Sequence, residues 1–139
     1  MKDWRAAIVA GVPATAVLIL VLLASDVLTG TEINPFQLLA GFVGLNQQFL
    51  GFVLFVLVGI FGWPLMFLSF AGFLPGGTDA GRGLVFSIVL WVGFISAFAA
   101  PFGDGIVTFL VASLLAHVAY GVVLGGTYDR LAVHDIGEV

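Results

Sequence analysis

Four stretches of this chain, at about residues 6–28, 49–74, 80–102 and 106–128, are long, apolar and uncharged near their centres. A helix needs about 20 such residues to cross the hydrocarbon core of a bilayer. In lipid a backbone has no water to bond, so each stretch must satisfy its own N–H and C=O groups, and a helix does so. The sequence therefore predicts an all-α integral membrane protein: a four-helix up-down bundle forming a single transmembrane domain over residues 1–139. Composition agrees. Only 9% of residues are charged and 61% are hydrophobic, against about 25% charged in soluble domains.

Lys2 and Arg5 precede the first stretch, as they would in a signal peptide. The run that follows is too long, contains Gly11 and Pro13, and ends in Ala24-Ser25-Asp26 without a small-x-small cleavage site. A retained anchor is expected. With four spans, Lys2, Arg5, Arg82 and Arg130 all fall on one side, while Glu32 and Asp104 mark the other. The positive-inside rule places a multi-pass protein in the cell membrane with both termini cytoplasmic.

The net charge of -4 comes without any basic cluster. That removes nucleic acid from the expected partners. The remaining partners are the lipid bilayer and other membrane subunits, or a second copy of the chain. Acidic loops with one lysine fit a halophilic archaeon. The chain has no cysteine, so disulfides and thiolate metal sites are excluded. A bis-histidine haem would need a second axial ligand beside His117, and His134 lies beyond Arg130 in the tail. No metal and no cofactor are expected.

Spans one and two are joined by about twenty residues, and Asn34 to Gly44 explains the length. Asn34 suits an N-cap, Pro35 the first helical position and Gly44 the residue after the last turn. Phe36, Leu39, Ala40 and Val43 repeat at helical spacing opposite Gln37 and Gly41. A helix over 35–43 reaches about 14 Å, too short to cross. It is expected to lie in the interface; the alternative is a re-entrant element lining a pore. Between spans two and three, Gly76-Gly77 breaks the chain and Thr78 or Asp79 can cap the next helix. That loop lacks the G-x-x-x-x-G-K-[ST] pattern and its strand–turn–helix setting. Between spans three and four, Asp104 is placed to cap span four, and so short a link makes the two spans antiparallel neighbours.

Helices associate in lipid through close contact at small residues. Gly11, Gly93, Gly121 and Gly125 are the expected packing glycines, beside Ala7, Thr15, Ala97, Ala112 and Ala116. Kinks are expected at Pro13 and Pro64, each removing a donor and releasing the carbonyls of Val9 and Ile60.

At 100° per residue, Ser113, His117, Tyr120, Leu124 and Tyr128 fall within a sector of about 80°. The polar groups of span four thus form an intramembrane stripe, which should face other helices because lipid cannot satisfy them. His117 lies near mid-span. As a proton relay it would need partners from Tyr120, Ser113, Thr15 or Ser96, and no embedded carboxylate is available. It would otherwise contact a membrane partner or a quinone-like ligand, or donate one structural hydrogen bond. Trp63 and Trp91 also lie deep, where their indole N–H groups want acceptors; a Trp63–His117 contact is one expectation. Trp4 is the ordinary interfacial tryptophan.

The motifs G-V-P-A-T-A-V, I-N-P-F-Q-L-L-A, L-P-G-G and A-H-V-A-Y-G-V-V-L-G together cover much of the chain. On them the sequence resembles an uncharacterised family of small four-span membrane proteins from haloarchaea and some bacteria. The resemblance implies gene surroundings of respiratory oxidases, and hence an accessory subunit. There is no carboxylate pair, thiol or Ser/His/Asp set at compatible depths, so no catalytic residues and no enzyme activity are expected. The expected function is a non-catalytic structural or accessory component of a membrane complex, a respiratory one first. The alternative is a small transporter or proton-conducting protein using the His117/Tyr120 stripe.

Overall fold

In the computed structural model residues 3–133 are described, and they are helical throughout apart from short connections. Lys2 and His134 lie outside the described residues. The elements are α1 (Asp3–Thr29), α2 (Pro35–Phe42), α3 (Gln48–Leu57), a π turn (Val58–Gly62), α4 (Trp63–Phe70), α5 (Asp79–Phe98), a 3-10 segment (Ala100–Gly105) and α6 (Ile106–Val133). Among the described residues four helical segments are long and apolar enough to cross a membrane: Asp3–Thr29, Gln48–Phe70, Asp79–Phe98 and Ala100–Ala132. Span two stops at Phe70, ahead of Gly72, and span three at Phe98, ahead of Pro101. Span four runs on past Tyr128 to Val133, with no glycine or proline among the residues that follow Tyr128 in it.

Small residues decide which helices meet. α1 buries Ala6, Ala7, Ala10, Gly11, Ala14 and Thr15, so it can sit between span two and α6. A Cβ on Gly11 would strike Pro64 Cγ and the Ile60 carbonyl, while Gly59 lies on Thr15. These pairings run in opposite chain senses, so α1 and span two are antiparallel. α5 lies on the far side of α6. There Gly83 meets Gly121 and Gly125, and Trp91 reaches Ser113, again in opposite senses.

The first connection is built as its residues demand. Asn34 Oδ1 accepts the Gln37 N–H at 3.1 Å, and Pro35 follows at the start of α2. Gly44, at φ +76, closes the helix, its own N–H on the Gly41 carbonyl and the Leu45 N–H on that of Ala40. That is the paired bonding of a Schellman end. Phe36 wedges edge-on between Phe52 and Phe55, at 5.1 and 5.4 Å between centroids. Gly51 lets the Phe36 carbonyl approach. Val43, expected on the apolar face, is instead exposed at the C-cap.

Asp26 anchors the incoming strand of this connection: its Oδ1 accepts the N–H of buried Ile33 at 2.8 Å. Asp26→Ala removes that acceptor. Amide exchange at Ile33 is expected to accelerate while Phe36 keeps α2 on span two, as hydrogen-exchange mass spectrometry can read.

Two capping expectations resolve differently. Thr78 caps α5, its Oγ1 accepting the Gly81 N–H at 3.1 Å, and Asp79 pairs with Arg82 at 2.8 Å. Asp104, expected to cap span four, makes no side-chain hydrogen bond among the described residues. The chain enters α6 through the 3-10 segment, with Gly103 at φ 47 making the bend.

Candidate functional site

The polar stripe of α6 is built from backbone bonding upward. Ser113 is fully buried; its Oγ accepts the Trp91 indole N–H at 3.0 Å and donates to the Leu110 carbonyl at 3.3 Å. One turn on, His117 Nδ1 lies 2.7 Å from the Ser113 carbonyl. A carbonyl only accepts, so Nδ1 carries a proton, and in the neutral ring Nε2 is then the acceptor. Phe94 flanks the imidazole, with centroids 5.1 Å apart. No group among the described residues hydrogen-bonds Nε2.

Tyr120 does a different job. Its hydroxyl donates to the Gly59 carbonyl at 2.8 Å, buried between α6 and span two. The reason lies in the π turn. Trp63 N–H bonds the Val58 carbonyl, five residues back rather than four. In that register the next donor, opposite Gly59, would be residue 64, and Pro64 has no N–H. The carbonyl orphaned by Pro64 is therefore that of Gly59, not of Ile60 as an uninterrupted α-helix would have it, and Tyr120 fills the vacancy. α1, by contrast, passes unbroken through Pro13.

Span two and α5 stand apart over part of their length. They approach each other at Phe67 and Phe86, centroids 5.6 Å apart. Elsewhere Phe42 of α2 reaches Phe98 of α5 at 5.4 Å. A cavity of about 410 Å³ lies between, with α1 and α6 behind it and α2 over one end. Its walls are almost wholly apolar, and His117 and Tyr120 both border it. Trp63 and Val89, which line it from opposite sides, are also exposed on the outer surface. The cavity therefore opens sideways, between two helices.

The residues singled out from sequence distribute unevenly around this site. Ser113, His117 and Tyr120 share one face of α6, yet each makes its own bond, to separate partners, so they do not form a continuous chain. Ser96 turns its hydroxyl onto the Val92 carbonyl at the exposed surface. Thr15 Oγ1 is buried beside Gly59 with no partner among the described residues. Trp63 lines the cavity with His117, and no hydrogen bond joins the two among the described residues; the indole that finds an acceptor is that of Trp91. Trp4 is half exposed under the Arg5 guanidinium, 5.1 Å from its ring.

Gly11, Gly121 and Gly125 sit where helices touch, but the expectation for Gly93 is corrected. A Cβ at Gly93 would meet nothing within 4 Å, because that position faces the cavity rather than a helix. The packing glycine of α5 is Gly83, which reads in sequence as part of the glycine-rich turn. Its signal was Gly83 and Ser87 at four-residue spacing, both buried on α6.

A family model described as a family of unknown function (DUF6789) matches residues 1–138 of the chain. No curated protein and no solved structure matches it.

Proposed function

Since the chain belongs to the family of unknown function DUF6789, we propose its role from its own geometry: a non-catalytic accessory component of a membrane complex that holds a lipid-phase molecule in its side-opening cavity. In this reading the spans form an up-down bundle in the cell membrane of a halophilic archaeon, with both termini cytoplasmic and α2 in the outer interface. Support comes from the alternating senses of the helix contacts and from Arg5, Arg82 and Arg130 falling at one end. The eight residues of α2 are too few to cross a bilayer.

The observation that carries the function is how the stripe spends its polarity. Ser113 and Tyr120 are committed to structural bonds, which leaves His117 bordering an apolar cavity of about 410 Å³ with no partner for Nε2 among the described residues. Ligand sites are typically concave, apolar and about 300–1,000 Å³, with a few placed polar groups. Proton conduction, the other reading, calls for a connected series of titratable or hydroxyl groups, and His117 and Tyr120 bond different carbonyls instead.

Gentle solubilisation followed by native mass spectrometry tests the accessory role. The chain is expected in a defined larger assembly, with a respiratory complex the first to examine. A clean monomer or homo-oligomer would remove that role. Proteoliposomes are expected to hold a pH gradient; a leak abolished by His117→Phe would put conduction in its place.

A further inference from the structure

We infer that the cavity takes a lipid-soluble molecule presenting a hydroxyl group to His117 Nε2: an aromatic alcohol of the phenol or quinol class with an apolar tail. The inference rests on the proposal that the cavity is a binding site, and it names the chemistry the site selects.

Three features of the cavity point there. The first is the direction of the hydrogen bond. With its proton held on Nδ1 by the Ser113 carbonyl, the ring offers an acceptor at Nε2. Among the described residues no carboxylate lines the cavity to pair with an imidazolium. Acyl chains give an acceptor nothing, and ester, ether and ketone oxygens are acceptors themselves. A partner for Nε2 must donate, and on an otherwise apolar, uncharged molecule a hydroxyl is the simplest donor.

The second feature is shape. Phe94 lies against the imidazole at 5.1 Å, and Phe55, Trp63 and Phe98 add aromatic wall. Aromatic walls favour a flat ring in stacked or edge-on contact. An apolar cavity of about 150 Å³ already holds benzene, so about 410 Å³ holds a substituted ring and the first carbons of a tail. Gly93 and Ala97 keep one wall thin.

The third is a second polar handle. Trp63 borders the same cavity, and its indole N–H has no partner among the described residues. It can donate to a second ring oxygen, which a quinol carries and a simple alcohol does not.

The test uses the full chain in nanodiscs, with isotope-labelled histidine and p-octylphenol as the probe. Titration should move the Nε2 resonance of His117 saturably toward that of a hydrogen-bonded nitrogen, assigned against His117→Phe. The methyl ether, p-octylanisole, should bind about tenfold more weakly and leave that resonance in place. Gly93→Leu grows into the cavity and should abolish phenol binding with thermal unfolding unchanged. Equal binding of phenol and ether would overturn the hydroxyl assignment and leave the cavity as a site. Phenol binding undiminished in Gly93→Leu would overturn both.

Discussion

Gly83→Leu should sever the pairing of α5 with α6 and cost about 3 kcal/mol, the upper end for overpacking a well-filled contact. The magnitude follows from what the new side chain meets. A Cβ at this position runs into the Gly121 carbonyl oxygen and comes within 3.0 Å of the Gly125 nitrogen. These are backbone atoms of a helix, and no rotamer change moves them aside. The contact is also reciprocal, since a Cβ on Gly121 would strike the Gly83 carbonyl and Ser87. Relief therefore requires the two helices to separate, which forfeits the close approach that holds helices together where the surroundings are as apolar as the side chains. Reversible unfolding in mixed micelles against a titrated denaturing detergent measures the loss. Gly93→Leu on the same helix is the control: it makes the same chemical change where a Cβ meets nothing within 4 Å. Equal losses at both positions would show that bulk on α5, rather than the contact with α6, sets the stability.

The second large effect is expected from Tyr120→Phe, which removes one oxygen and leaves the Gly59 carbonyl buried and unbonded. Stranding a buried acceptor costs about 1–3 kcal/mol, and interhelical hydrogen bonds in membranes reach about 1.7 kcal/mol. A loss of about 1–2 kcal/mol is the expected result. The diagnostic measurement is the double mutant. Pro64→Ala restores an N–H to the position opposite Gly59 in the π register, so the carbonyl no longer depends on the tyrosine. Tyr120→Phe should then cost well under half as much in the Pro64→Ala background, a non-additivity that a double-mutant cycle reads directly. Additive losses would mean that the hydroxyl serves something other than the carbonyl left by the proline.

These two predictions also mark where the sequence was readable and where it was not. The four spans followed from uninterrupted apolar length. α2 followed from Asn34, Pro35 and Gly44 acting in their usual places, since capping is decided within a few residues. Ser113, His117 and Tyr120 could be placed on one face because helical periodicity is rigid. The partners of that face were another matter. Nothing local to Pro64 tells whether the helix ahead of it runs in α or π register, and that one-residue difference moved the vacant carbonyl from Ile60 to Gly59. Gly83 was hidden by Gly76, Gly77 and Gly81, which made its neighbourhood look like a loop. Gly93 with Ala97 had the spacing of a packing stripe, but spacing does not say whether a helix or an empty space lies opposite. The cavity itself was illegible, because it comes from what span two and α5 fail to fill.

The sideways opening of that cavity fixes how its occupancy must be counted. A molecule that enters from the bilayer has already left water, and moving its tail from lipid into an apolar wall gains it little. Partitioning has done that part beforehand. Binding is then governed by the mole fraction of the compound in the membrane, and a longer tail raises apparent potency in aqueous units without improving the fit. What remains to discriminate one membrane-dissolved molecule from its neighbours is one lone pair, one indole N–H and the outline of the aromatic walls.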